Sequence, residues 1–428
     1  LNQIIQSVKG MHDYVPKDVN IWQCVEKILF NILDSYNYQE IRFPIIERTE
    51  LFKHGIGSIT DIIEKEMYSF KDKNSNSLTL RPEGTVGCMR SCIKNGLLRN
   101  SEQKLWYLGP MFRYEKPQFG RYRQFHQLGI EYFGLSSPHA DLEIVMLIQR
   151  IWKVLKISHF VKLELNTIGS INTRSHYKKL LYLYFKRHES LLDTDCKRRL
   201  YTNPLRILDS KNSNIQELIN CAPSLINYID DDSLKHFEKL CKYMDEVGIS
   251  YITNYQLVRG LDYYNNTVFE WTIDTLKSKS TICAGGRYDY LSNFLKIPSV
   301  PAVGCAIGME RLIMVLKSYN KFLEIKNVVD IFIIFLKKSI ELRAIQLSEN
   351  IRTELPCKKV QVNFSQSSIN KQFRKANKLG ARIVLLLGSI EEKNKTILIK
   401  DLKFKKQKIS LFENVIHELK LFFEKHYL

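Results

Sequence analysis

The sequence has no apolar run long enough to cross a membrane. Its longest, VVDIFIIFL and RIVLLLG, fall well short of the roughly 18 residues that a spanning helix needs. The opening LNQIIQSVKGMHDYVP has neither an apolar signal core nor a cleavage pattern, so a cytoplasmic chain is expected. There is no CxxC pair and no HExxH, and nine scattered cysteines cannot form a complete intrachain disulfide set. Reduced thiols and no structural metal are therefore expected. Also missing are the GxxxxGK loop and the GxGxxG fingerprint, which excludes the P-loop and Rossmann ways of cradling phosphate. No internal repeat and no low-complexity linker breaks the chain.

What is present is a long, basic, otherwise ordinary globular sequence. At 428 residues it exceeds the usual reach of one core, so two or three domains are expected. The net charge is +19, which points to a polyanionic partner. Residues 321–428 hold 22 Lys and Arg against 11 Asp and Glu, so their charge density is about four times that of the rest. Ile21, Val25, Ile28, Leu29 and Ile32 recur at helical spacing. YQEIRFPIIE reads as a strand interrupted at Pro44, and MYSFKD and SLTLRPEG as two strands joined by a polar turn. KLWYLGPMFR and RYRQFHQLGIEYFG flank the loop YEKPQFG, and ADLEIVMLIQRIWKVL is helical. Residues 170–250 read as a helical insertion, after which YQLVRG, TVFEWTID and TICAGGRYDYL resume strand patterns. Beyond residue 320 a βαβ rhythm begins, which implies a small α/β domain.

Alternation in RYRQFHQLGIEYFG puts Arg123, Phe125, Gln127, Gly129 and Glu131 on one face and His126 with the aliphatic bulk on the other. A sheet needs no such row for stability. It reads as a floor for a ligand with a planar ring, a polar body and a positive group, since a solvated sheet face explains neither Phe125 nor the gap at Gly129. Arg113, beside a loop with Glu115, Lys116 and Arg121, suits a triphosphate. In GCAIGMER, Arg311 falls in the first turn of a helix, where a cation opposes the dipole unless an anion is near. Arg259 in LVRGLDYYNNTVFE either pairs with Asp262 or awaits an external anion.

These segments resemble the class II aminoacyl-tRNA synthetases, and within them the histidyl-tRNA synthetase family. FPIIERTELF resembles motif 1, FRYEKPQFGRYRQFHQLGIEYFG motif 2 and AVGCAIGMERL motif 3. LVRGLDYYNNTVFE and CAGGRYDYL resemble the two segments peculiar to the histidine enzymes, and TLRPEGT matches their amino-acid-binding segment. The resemblance implies an α+β catalytic domain over 1–320, with an antiparallel sheet flanked by helices and a helical insertion near 170–250. It also implies an α/β anticodon-binding domain over 327–428.

By the same resemblance Arg113 holds the α-phosphate and the substrate carboxylate. Glu115, Phe125, Arg121 and Arg311 complete the ATP site, and magnesium accompanies ATP. Glu83, Thr85 and Gln127 receive the α-amino group; Glu131 and Tyr264 bind the imidazole, with Tyr263 and Tyr288 bordering it. Arg259 sits beside the reacting carboxylate and α-phosphate. The implied partners are L-histidine, ATP, tRNA(His) and a second copy of the chain. Arg123 and the basic run Lys371, Arg374, Lys375 and Lys378 are candidate tRNA contacts.

The chain departs from the family pattern at Tyr290, where glycine is usual, in LKIPSVP, which replaces a glycine pair, at His12, and in VNFSQSSINKQF, without a glycine-rich loop. The reading is a histidine–tRNA ligase that needs no general base, because a carboxylate is already ionised. The competing readings are an inactive paralogue regulating histidine biosynthesis and a pure RNA-binding protein. The intact Arg113, Arg259 and Arg311 and the basic C-terminal region oppose the former. The row from Gln127 to Glu131 opposes the latter.

Overall fold

The computed structural model describes residues 5–319 and 329–424, apart from 58, 59, 61, 100, 101, 119, 209, 211, 276, 277 and 366. It contains two compact units, one including residues 22–319 and the other residues 329–424.

The helix α1 (Pro16–Ser35), whose residues from Trp22 on belong to the first unit, starts with proline in its first turn, where the missing N–H costs nothing. It buries Trp22, Val25, Leu29, Ile32 and Leu33, a stripe centred slightly away from the expected one. Pro44 falls between two short strands, β1 (Gln39–Glu40) and β2 (Ile46–Arg48), which belong to different sheets. The single interrupted strand is thus two. After α2 (Thr49–Ile56), β3 (Tyr68–Lys71) and β4 (Ser77–Leu80) form the expected hairpin, and β4 pairs with β2 on its other side.

Next come α3 (Thr85–Lys94), the long hairpin β5 (Gln103–Phe112) and β6 (Gln124–Phe133), α4 (Pro138–Val154) and β7 (Val161–Thr167). The helical stretch contains α5 (Ile171–Arg187), α6 (Thr194–Thr202), α7 (Gln216–Asn220) and α8 (Asp231–Glu246). It is followed by β8 (Ile252–Thr253), β9 (Asn265–Thr275), β10 (Ser278–Arg287), α9 (Leu291–Phe294), β11 (Ala302–Gly308) and α10 (Met309–Tyr319).

The large sheet runs β1-β5-β6-β11-β10-β9-β7-β8. It is antiparallel except at its edges, where β1–β5 and β7–β8 are parallel. YQLVRG is not a strand. Leu257 N–H turns back to the Asn254 carbonyl at 2.9 Å, and the segment continues irregularly to Tyr264.

The second unit holds β12 (Ile331–Phe335), α11 (Glu341–Glu354), β13 (Val360–Asn363), α12 (Ile369–Lys378), β14 (Ile383–Leu387), α13 (Ser389–Lys393), β15 (Thr396–Asp401), β16 (Lys406–Leu411) and α14 (Val415–Glu424). The sheet order is β13-β12-β14-β15-β16, with the first three strands parallel. Central parallel strands are covered on both faces, so β12 is apolar at every position. Ile331, Ile333 and Phe335 pack with Leu347 and Leu419, whereas Phe332 and Ile334 pack with Ala376. The edge strand β16 is missed by pattern because KQKISL is exposed at all but one residue. On α12, Gln372 and Ala376 turn inward, leaving Lys371, Arg374, Lys375 and Lys378 exposed at spacings that share one face.

Candidate functional site

On the large sheet lies a cavity of about 420 Å³, lined from β6, the β5–β6 loop, the entries of α3 and α10, and the segment 259–264. At one end four side chains of the β5–β6 hairpin converge. Arg113 Nε donates to the Pro82 carbonyl at 2.8 Å, and its guanidinium carbon lies 5.3 Å from the Phe125 ring centroid. Glu115 lies 3.9 Å from Arg113 and 3.5 Å from Arg121.

Arg311 enters from the first turn of α10. Its Nε donates to the Gly120 carbonyl at 2.9 Å and its Nη1 to the Thr281 carbonyl at 2.7 Å. Burial, then the nearby Arg121 charge, pulls its pKa down. Carbonyl partners orient these guanidinium groups without neutralising them. Three neighbouring cations, two of them fixed by backbone, form an anion site at the cost of mutual repulsion.

Arg259 also lines the cavity, linked to Arg311 through Glu270 and Thr281. Its Nη1 pairs with Glu270 Oε2 at 3.2 Å, and Thr281 Oγ1 donates to the other oxygen of that carboxylate. Asp262, the partner suggested by sequence proximity, accepts from Asn203 Nδ2 at 3.1 Å. The ion pair is made across the sheet because β9 returns Glu270 beneath the irregular segment.

The same cavity has a polar pocket. Glu83 accepts from the backbone N–H groups of Thr85 (2.8 Å) and Val86 (2.9 Å), so it caps the entry of α3. Burial still raises its pKa. Gln127, Tyr263 and Tyr264 also line the cavity. Burial raises Tyr264 to about 12, offset in part by Arg259.

Glu131 and Tyr288 are not among the lining residues; they lie one layer behind Thr85 and Tyr107. Glu131 is wholly buried and accepts from Thr85 Oγ1 (2.8 Å), the Tyr107 hydroxyl (3.0 Å) and the Tyr288 hydroxyl. Burial raises its pKa to about 8 despite those donors. Gly304 makes room for it, since a Cβ there would overlap Oε2. The gap at Gly129 is also filled from within. Tyr107 lies opposite it on β5, and a Cβ at Gly129 or Gly84 would overlap the Tyr107 ring. That gap serves a tyrosine rather than a ligand ring.

Arg123 precedes β6 and stacks on Tyr114, 3.8 Å from its ring centroid, outside the cavity. His126 faces the other way, pairing with Glu310 at 2.9 Å against the Trp22 ring. Behind Tyr288, Arg287 is clamped by Asp141, by Asp289 at 3.1 Å, and by the carbonyls of Leu135 and Ser137. Sequence reasoning missed Tyr107, Glu270, Thr281, Arg199 and Arg206. Tyr107 was detectable as the large residue in register with Gly129. Arg199 and Arg206 reach the cavity from the helical stretch, for which no local pattern exists. No group of three or more His, Cys, Asp or Glu among the described residues could hold a metal ion.

The large sheet with its flanking helices and this central site has the class II aminoacyl-tRNA synthetase fold. A family model described as histidyl-tRNA synthetase matches residues 10–312, and an anticodon binding domain model matches residues 330–420. This chain belongs to the histidyl-tRNA synthetase family. It is 60% identical over 424 residues to the histidine–tRNA ligase of Buchnera aphidicola subsp. Baizongia pistaciae, covering 99% of this chain and 100% of that protein. The apo histidyl-tRNA synthetase of S. aureus superposes with a TM-score of 0.82 at 32% identity, covering 97% of this chain and 99% of the other. A Bacillus halodurans chain, described as an ATP phosphoribosyltransferase regulatory subunit/histidyl-tRNA synthetase, is 20% identical. It has a TM-score of 0.65 and covers 90% of this chain and 99% of that one, a likeness of fold alone.

Proposed function

We propose that this chain activates L-histidine with ATP and then esterifies the 3′-terminal adenosine of tRNA(His). The observation that carries this reading is the arginine set fixed by backbone carbonyls around one cavity. A histidine carboxylate oxygen attacks the α-phosphorus, the bond to pyrophosphate breaks, and no proton moves. The terminal ribose hydroxyl then attacks the adenylate carbonyl, the bond to AMP breaks, and the hydroxyl proton is released with the departing AMP. The first step needs alignment and positive charge more than a base.

Arg113 bridges the carboxylate and the α-phosphate, and Arg259 faces both from the other side. Glu115 accepts from the adenine amino group, Phe125 stacks on the ring, and Arg311 and Arg121 hold the outer phosphates. Magnesium enters with ATP as part of the substrate. Glu83, Thr85 and Gln127 receive the α-amino group. Tyr263 and Tyr264 wall the imidazole pocket, and Glu131 acts on the ring with Tyr288 behind it. A site that pairs both imidazole nitrogens leaves polar groups unmatched with other side chains, so discrimination of about 10⁴–10⁵ needs no editing domain. Charging of tRNA(His) transcripts with labelled histidine tests the complete reaction; transfer of another amino acid contradicts it.

The chain works as a cytoplasmic homodimer in this reading. Exposed Ile45, just before β2, with Ile46 on β2 and Phe70 on β3, supplies apolar surface for a second copy. No described helix is long and apolar enough to cross a membrane.

Two predictions belong here. Gly304→Ala pushes a methyl group into the Glu131 carboxylate, and overpacking of this kind costs about 1–3 kcal/mol. KM for histidine should rise by roughly tenfold or more while KM for ATP stays within about twofold. Equal changes in both would show that Glu131 has no special part in histidine binding. The second concerns the exposed face of α12. Replacing Lys371, Arg374, Lys375 and Lys378 with alanine should weaken tRNA binding and lower the slope of log K against log salt by about 3, at about 0.7 per single-stranded phosphate contact. An unchanged slope in filter binding across potassium chloride concentrations would remove this face from the tRNA site.

A further inference from the structure

The segment KGMHDYVP has no part in the chemistry above, yet it lies against the nucleotide end of the cavity at three places. Gly10 adopts φ +84, a left-handed conformation open to glycine. Its carbonyl accepts from Arg123 N–H at 2.7 Å and, less closely, from Gln124 N–H at 3.4 Å. A Cβ at Gly10 would stand 2.9 Å from Arg123 Cγ and 3.2 Å from Pro117 Cγ. Two residues on, His12 meets Tyr122 edge to face with centroids 4.5 Å apart. Tyr14 then donates its hydroxyl to Glu310 Oε1 at 2.9 Å while its ring packs 4.9 Å from Trp22 of α1.

Each residue gripped is next to one that faces the cavity. Tyr122 follows Arg121, Arg123 follows Tyr122, Gln124 precedes Phe125, and Glu310 precedes Arg311, with Tyr122 and Glu310 also lining the cavity themselves. Glu310 is a junction in its own right, because both its oxygens accept from His126 N–H at 2.9 Å. It therefore ties the start of β6 to the first turn of α10. Among its described residues the β5–β6 loop holds itself by the Gln118–Arg121 bridge, by Arg113 N–H to the Arg123 carbonyl at 2.9 Å and by Arg123 Nε to the Glu115 carbonyl at 3.3 Å, all between neighbours of the same hairpin. A short hairpin tip carrying cations that repel one another needs outside support to keep a single geometry.

We propose that Gly10–Tyr14 is a positioning strap that sets Arg121, Phe125 and Arg311 for ATP before the nucleotide arrives. It rests on the reading of that end as the ATP site. The strap touches no reacting atom. It acts by holding the β5–β6 loop and the α10 entry in register with each other.

The test is histidine-dependent ATP–pyrophosphate exchange by the full chain and by Gly10→Val and Tyr14→Phe, with thermal midpoints measured alongside. Gly10→Val disturbs the first rung by clash and backbone conformation, and Tyr14→Phe removes the hydroxyl that donates to Glu310 while keeping the ring against Trp22, so the second is informative if the first folds poorly. Misplacement of about 1 Å can cost up to about a hundredfold. The expected result is a fall in kcat/KM for ATP of about tenfold or more in Gly10→Val and about threefold in Tyr14→Phe, with KM for histidine within about twofold. Folded variants with unchanged ATP kinetics overturn the proposal alone. A parallel rise in both KM values with a lowered thermal midpoint also overturns it, because that marks a merely structural role. No exchange in the unmutated chain overturns the reading of the ATP site, and the strap with it.

Discussion

Arg259→Ala is expected to slow histidine-dependent ATP–pyrophosphate exchange by roughly 10²–10³-fold, the scale of losing one preorganised transition-state donor. Two anions must approach each other during adenylate formation, and Arg259 supplies positive charge where they meet. Its ion pair with Glu270, itself held by Thr281, fixes the direction of the guanidinium. Removing Arg259 also leaves the Glu270 carboxylate facing the incoming anions, which adds repulsion. Arg259→Lys restores the charge but not the planar fork, so its rate should fall between the other two. The loss should appear mainly in kcat, because the interaction strengthens as charge concentrates at the reacting centre. A change of less than about threefold in kcat would assign Arg259 to structure rather than chemistry.

Asp141→Ala is expected to destabilise the first unit by on the order of 3–5 kcal/mol, because it leaves the Arg287 guanidinium buried without its main carboxylate. Asp141 is fully buried and Arg287 1% exposed, so water cannot take the lost partner's place. Burial alone would push the Asp141 carboxyl up, but Arg287 and then His236 pull it down to about 2. A folded-state pKa below the usual 3.8 means stability present above that value and lost as pH falls through about 2. The acid limb of the wild-type unfolding curve should therefore flatten in the variant. Arg287 immediately precedes Tyr288, whose hydroxyl meets Glu131, so KM for histidine should also rise in the fraction that folds. Urea unfolding followed by fluorescence gives the first quantity; a loss below about 1 kcal/mol would show that Asp289 and the carbonyls of Leu135 and Ser137 suffice.

Much of this was legible where a local pattern carries the physics. Alternation in β6 separated the cavity face from the His126 face, and continuous apolar runs marked the buried strands of the second unit. Pattern failed where tertiary contact decides. YQLVRG has strand-forming residues, but β8 ends at Thr253 and the backbone then turns at Asn254. KQKISL lacks apolar alternation because one face and one edge of β16 meet solvent. Sequence proximity suggested Asp262 for Arg259, whereas strand return supplied Glu270. Two departures from the family pattern are accommodated without glycine. Tyr290 adopts φ −97° and ψ 1°, which requires no glycine. In LKIPSVP, Lys296 takes φ 65°, a conformation that non-glycine residues adopt at modest cost.

The most direct test of the central claim is ATP–pyrophosphate exchange with each of the twenty amino acids supplied separately and without tRNA. Exchange that depends on histidine and on no other amino acid is the predicted result. Exchange with a different amino acid, or none with any while histidine still binds, would contradict it.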